Sequence, residues 1–144
     1  MSAWPWGSVE PIFNRIMTER TLLSAVFIGL MAFLMFRNLI AAGVSVGAAR
    51  NDILLLMVLF ENVHAFNSRS ELRSAFCHNP FRNPLLLLGT IVAQLVHIGA
   101  MSTPGLNSIL GITPVTFGAW AELVPIALSL LLVMEAHKFI RRKL

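Results

Sequence analysis

Glu61, Asn62, His64 and Asn67 crowd the end of one apolar run, in the segment LLLMVLFENVHAFNSRSELRS from Leu54 to Ser74. A carboxylate, an imidazole and two amides so close together suit cation coordination, proton handling or a hydrogen-bonded seam between helices. An ionisable group near the centre of a membrane helix costs about 2.5 to 3.5 kcal/mol on insertion scales. Glu61 is therefore expected to face other helices or water rather than lipid. At helical spacing Glu61, His64 or Ala65, and Ser68 share a face, so one polar stripe is expected.

Three readings of Glu61 compete. It is a metal-ligating residue for a hard cation, which takes carboxylate and amide oxygens. It is a structural group, neutral or paired with His64 or with Gln94 of the next helix. Or it opens the E-x-x-H of a di-iron site, which needs a second E-x-x-H and two further glutamates on facing helices; the sequence contains no second E-x-x-H. His97 has the chemistry to ligate haem or a pigment, although hydrogen bonding within a bundle is the simpler role. Glu61, His64, Asn67, Gln94 and His97 together make the expected polar face toward the membrane interior or a partner. Glu135, His137 and Lys138 read as an interfacial, snorkelling cluster.

What must position these residues is a set of membrane helices. The 144 residues are 56% hydrophobic and only 12% charged, about half the charge of a soluble domain. The expectation is an all-α integral membrane bundle, residues 1–144 forming one domain with helices at about 20–41, 46–67, 84–101 and 119–138. Each is close to the roughly 20 residues needed to cross the hydrocarbon. Ser45 is placed to cap the second helix, and Pro84 to occupy the first turn of the third. Small residues four apart, Ala25 with Gly29 and Gly89 with Ala93, offer seams for close helix contact. Pro125 is expected to tilt or kink the entry of the fourth helix. Trp4, Trp6 and Trp120 are the candidate interface anchors.

Of the 11 Lys and Arg residues, only Arg37 and Arg50 fall in the loops opposite the termini. The positive-inside rule then places both termini and the central loop in the cytoplasm. The net charge of +4 is spent on topology, and no nucleic-acid-reading motif accompanies it. A single cysteine, Cys77, excludes an internal disulfide and a cysteine zinc cluster. The N-terminus lacks a cleavable signal pattern, so the first span is expected to stay as an anchor. No cofactor is identified, a cation or a lipid being the remaining candidates for a bound group.

The runs EPIFNRIMTERTLLSAV, LLLMVLFENVHAFNSRSELRSAF, NPLLLLGTIVAQLVHI and WAELVPIALSLLLVMEAHKFIRR, in this order, resemble the C-terminal four transmembrane helices of P-type cation-transporting ATPases, above all bacterial calcium-pump-like members. The resemblance covers about residues 10 to 143, with FENVHAFNSRSE its most specific part. It implies that Glu61 stands where calcium pumps place a carboxylate that helps bind calcium, and that the protein lies in a bacterial inner membrane. The family's D-K-T-G-T phosphorylation motif, nucleotide-binding domain, actuator loop and proline-broken ion-binding helix are not in this sequence, while Met1 and MSAWPWG read as a start. The expectation is a protein that is not an enzyme: an accessory or structural subunit packed against other integral membrane subunits, respiratory and photosynthetic complexes included. The alternative is a component that completes or modulates a split P-type pump.

Overall fold

The computed structural model describes residues 15–68, 74 and 80–143, and the described elements are helical. Helix α1 spans Arg15–Ala41, α2 Val46–Asn67, α3 Pro84–Ser102, α4 Leu106–Leu110 and α5 Phe117–Lys143, with a 3₁₀ turn at Pro80–Arg82 before α3. The first long helix starts earlier than expected, at Arg15 rather than near residue 20, and the last runs on to Lys143. Among the described residues three helices, α1, α3 and α5, are long and apolar enough to cross a membrane, and the chain is a multi-pass membrane protein. Helix α2, expected as the second crossing, does not qualify on length and composition alone, because Arg50, Asp52 and Glu61 interrupt its apolar run.

Local chemistry sets the helix ends. At the close of α1, Gly43 takes φ 84° while its N–H reaches the Ile40 carbonyl and that of Val44 reaches Leu39. This paired closure needs a residue tolerant of positive φ, hence glycine. Ser45 then caps α2, its side chain accepting from the Ala48 N–H at 3.3 Å. Asn83 accepts from the Leu86 N–H at 3.1 Å, and Pro84 fills the first turn of α3, where no N–H is needed. Pro125 lies inside α5, and because that helix begins at Phe117 the proline sits deeper than one turn from its start.

The core is built by α1, α2 and α5. Leu55, Leu56 and Phe60 of α2 meet Leu123, Ala127, Leu130 and Met134 of α5, with Leu23, Phe27 and Met31 of α1 packed against them. Spacings of three and four along α5 keep its buried residues on one stripe. Phe27 and Phe60 stand edge to face, centroids 6.2 Å apart, the geometry aromatic quadrupoles favour. Lipid is as apolar as leucine, so these contacts hold helices together by close packing rather than by excluding water. Helix α3 is peripheral: it touches α2, and its outer face, from Leu85 to Val96, is exposed.

At the end opposite the termini, Asn51 ties α2 to the α4–α5 connection. Its Nδ2 donates to the Thr113 carbonyl at 2.7 Å, and its Oδ1 accepts from the Thr113 N–H at 3.1 Å. Ile109 and Phe117 on either side are largely exposed, which suits a charge-free connection lying against the membrane.

Candidate functional site

Helix α2 carries the polar residues, and the structure divides them among three places. The first is a groove between α2 and α3 of about 550 Å³, lined by Glu61, Asn62 and Ala65 on one wall and by Leu86, Gly89, Thr90 and Ala93 on the other. Glu61 is exposed into this groove. Asn62, beside it, donates from Nδ2 to Gln94 Oε1 at 3.1 Å. That bond pins α3 to α2, and it gives Gln94 to Asn62 rather than to Glu61. Oxygen atoms at Glu61, Asn62 and Thr90 make the wall suited to a hard cation. Among the described residues, however, no three His, Cys, Asp or Glu side chains gather at one point. A cation there would draw most of its six to eight oxygens from elsewhere.

The second place lies on the α1 side of the same helix. His64 and Ser68 share a cavity of about 220 Å³ with Met17, Arg20 and Thr21. Glu61 and His64 therefore do not form the single stripe expected from their spacing. At 3.6 residues per turn, a step of three falls about 60° to one side of Glu61 and a step of four about 40° to the other. That divergence sends His64 toward α1 and Ala65 toward α3. His64 Nδ1 is buried and has no hydrogen-bond partner among the described residues.

The third place is the end of α2. Asn67 is fully buried, and so is Lys138 of α5. Lys138 Nζ donates to Asn67 Oδ1 at 2.7 Å and to the Asn67 carbonyl at 3.3 Å, and it meets Glu135 Oε1 at 3.2 Å. Arg20 of α1, also buried, donates from Nη2 to the same Asn67 carbonyl at 3.2 Å. The carbonyl left open by the end of a helix is thus closed by two cations from neighbouring helices, the charge sign that end attracts. Around them Glu19 pairs with Arg15 at 3.0 Å and with Arg141, while His137 Nε2 lies 3.8 Å away.

Lys138 was expected to snorkel at the interface and instead points inward. It continues the buried stripe Leu123–Ala127–Leu130–Met134 by four residues, and that spacing was the signal in the sequence. Asn51 and Arg20 were not singled out either, and neither has a local pattern that marks it. Asn67, expected on a face toward a partner, is occupied within the chain.

The remaining residues are dispersed. His97 is partly buried on α3, its Nε2 without a hydrogen-bond partner among the described residues. Ala25 and Gly29 are exposed on α1, and a Cβ added at Gly29 or Gly89 would meet no described atom within 4 Å. Trp120 packs against the core. Trp4 and Trp6 lie outside the described residues, as does Cys77.

Comparison with known proteins follows the same residues. The family described as cation transporting ATPase, C-terminus, matches residues 1–140. An endoplasmic reticulum-type calcium-transporting ATPase 2 of Arabidopsis thaliana is 33% identical over 89 residues, 62% of this chain and 8% of that protein. A calcium-transporting ATPase of Plasmodium falciparum is 34% identical over 90 residues, 62% of this chain and 7% of its own length. Calcium-transporting ATPase 1 of Bacillus cereus is 29% identical over 80 residues, covering 56% of this chain and 9% of that protein. The chain therefore spans less than a tenth of the relatives it matches, which include eukaryotic and bacterial proteins.

Proposed function

The chain belongs to the family of cation-transporting ATPase C-terminal membrane regions, and from that premise we propose that it is a non-catalytic membrane module of a cation-transporting ATPase assembly, one that presents Glu61 to a cation path completed by helices outside these 144 residues. The observation that carries this reading is the exposure of Glu61 in the α2–α3 groove, where no ion pair forms with it among the described residues and oxygen donors stand beside it. A carboxylate kept on a membrane helix at a cost of a few kcal/mol is by default a functional group with a partner to find.

In this reading α2 is a fourth crossing. Its polar residues are tolerated because α1, α3 and α5 surround it and supply partners such as Gln94 and Lys138. Both termini and the α2–α3 connection are cytoplasmic, as the distribution of Lys and Arg favours. The chain has no catalysis of its own, and the energy comes from the body it joins. The presence of a Bacillus cereus relative makes a bacterial inner membrane one natural setting. A purely structural role in another assembly is the second reading, favoured by the open small-residue seams at Ala25 and Gly29 and at Gly89 and Ala93.

Both readings meet one experiment. The tagged chain is purified from its native membranes in mild detergent, and cation-stimulated ATP hydrolysis of whatever co-migrates is measured for wild type and Glu61→Gln. The transport reading expects a P-type ATPase polypeptide, with the cation concentration for half-activation raised about tenfold in the variant, the loss of roughly one strong ligand at 1.4 kcal/mol per decade. An unrelated complex, or an ATPase whose cation response is untouched by Glu61→Gln, overturns it.

A further inference from the structure

We propose that the pocket at the end of the bundle opposite the termini seats an anionic phospholipid, its phosphate on Arg50 and the start of an acyl chain along α2 below. The pocket, about 330 Å³, lies between α1, α2 and the chain leaving α4, at the lower end of the roughly 300 to 1,000 Å³ range of small-molecule sites. Helix α2 contributes Arg50, Ile53, Leu54 and Met57 to it. Steps of three, four and seven residues from Arg50 keep all four on one helical face. The cation stands nearest the helix start and the apolar side chains lie successively deeper, Met57 about 10 Å further along the axis at 1.5 Å per residue. A lipid has the same order of head and tail. Phe36 of α1, with Leu110 and Ile112, completes the apolar wall.

The fold makes no use of the cation in this pocket. Arg50 is exposed, and its guanidinium forms no hydrogen bond or ion pair among the described residues. Its neighbours are engaged elsewhere: Asn51 is taken by Thr113, and Asp52 stands toward Glu122 of α5 and does not line the pocket. Topology does not account for Arg50 either. The bias of Lys and Arg toward the termini orients the chain, and Arg37 and Arg50 lie against that bias. A guanidinium with five N–H donors takes phosphate in a charge-assisted, often two-pronged, hydrogen bond.

What favours a lipid over a free anion is the rest of the lining. Leu54 and Leu110 are exposed at the edge of the pocket, so it opens sideways to hydrocarbon. The chain around α4 carries no charge and exposes Ile109 and Phe117, which sets the mouth of the pocket at the membrane surface. An acyl chain would cover Ile53, Leu54 and Met57, whereas an inorganic anion would meet one cation and walls that give it nothing. Arg37, the other cation of this end, is exposed on α1 and does not line the pocket, which makes it the control. The inference goes beyond the cation path and holds whichever assembly the chain joins, since the pocket shares no residue with the Glu61 groove.

The test uses the full chain purified in a neutral detergent. Native mass spectrometry reads retained phosphatidylglycerol, phosphatidylcholine and glycerol phosphate, and circular dichroism reads the fold. Phosphatidylglycerol is expected to be retained, with phosphatidylcholine and glycerol phosphate each bound about tenfold more weakly, the scale of one lost strong contact. Arg50→Gln is expected to abolish the preference between the two lipids, and Arg37→Gln to leave it intact. Leu54→Trp, which fills the pocket from its open edge, is expected to weaken phosphatidylglycerol retention several-fold. All three substituted side chains are exposed, so the helical signal should not change. Equal retention of the two lipids by the wild type overturns the proposal, as does a preference that survives Arg50→Gln. Equal losses from Arg37→Gln and Arg50→Gln overturn it in favour of surface charge at large. Glycerol phosphate held as well as the lipid overturns it in favour of a free anion, and a dimer that Leu54→Trp abolishes overturns it in favour of a second copy of the chain. None of these outcomes bears on the cation response of Glu61→Gln, so the two readings fail separately.

Discussion

Helix α2 offers two polar sites less than two turns apart, and they are treated in opposite ways. At its end, Asn67 is sealed in the bundle, with its side-chain and backbone oxygens taken by Lys138 and Arg20. Toward its middle, Glu61 opens into a groove whose far wall is Gly89, Thr90 and Ala93. The first arrangement closes three helices on one another within the chain. The second sets an exposed carboxylate across a groove from a small-residue wall. A buried polar group needs a partner wherever it lies, so the contrast separates groups that serve this fold from groups that await something beyond it.

The sharpest way to break that contrast is at the sealed end. Asn67→Ala removes the side-chain acceptor from a buried ammonium and leaves Lys138 with Glu135 and the backbone carbonyl of residue 67. Hydrogen bonds to charged groups contribute about 1.5 to 3 kcal/mol, so unfolding in mixed micelles should show a destabilisation of about 2 kcal/mol. A loss below about 0.5 kcal/mol would mean that the end of α2 is not held as described.

Removing the charge instead of its acceptor should cost less. Lys138→Met keeps the stem within the stripe formed with Met134 and Leu130 and deletes the ammonium that needed solvation. Replacing a buried charge by an apolar side chain of similar volume is often close to neutral, and the Asn67 carbonyl keeps Arg20. The expected loss in the same unfolding measurement is about 1 kcal/mol. If Lys138→Met proves worse than Asn67→Ala, the pair owes its stability to the charge rather than to the acceptor.

At the open groove the smallest structural effect belongs to Asn62→Ala, which deletes the bond to Gln94. Side-chain hydrogen bonds between membrane helices average about 0.6 kcal/mol, and the stability change should be of that size. Its clearer signature is local. Among the long helices α3 makes its main packing contact with α2, so amide exchange in α3 should speed up while α1 and α5 stay protected.

These differences bear on what the sequence could disclose. The helices were legible because capping is local: Ser45, and the Asn83–Pro84 step, fix where α2 and α3 begin, and each needs only its immediate neighbours. The concentration of polar groups on one helix was legible for the same reason. Which neighbour each group would face was not, because a single residue of helical offset turns a side chain through about 100°. Glu61 and His64, three residues apart, consequently parted to α3 and α1. Lys138 shows the complementary failure. Its charge suggested the interface, while its place four residues beyond Met134 decided the matter, and that stripe appears only when α5 is set against α2. The small residues were legible as seams, yet a Cβ at Gly29 or Gly89 would meet no described atom within 4 Å, since sequence shows a seam without showing what lies on it.

The last test is the one in which nothing should happen to the fold. Glu61→Gln keeps the shape of the side chain and removes its charge at a position with no ion pair among the described residues. A structural carboxylate at that place would reveal itself by a change of a kcal/mol or more, because its partners would lose a charged acceptor. An exposed one should leave the unfolding free energy of the isolated chain within about 0.5 kcal/mol, as surface substitutions usually do. The two outcomes separate cleanly because the measurement is made without a partner or added cation. Neutral behaviour in the isolated chain, together with a changed cation response in the assembly, would assign Glu61 to what the groove receives. A destabilised isolated chain would instead return Glu61 to the class of Asn67, and the contrast between the two sites on α2 would disappear.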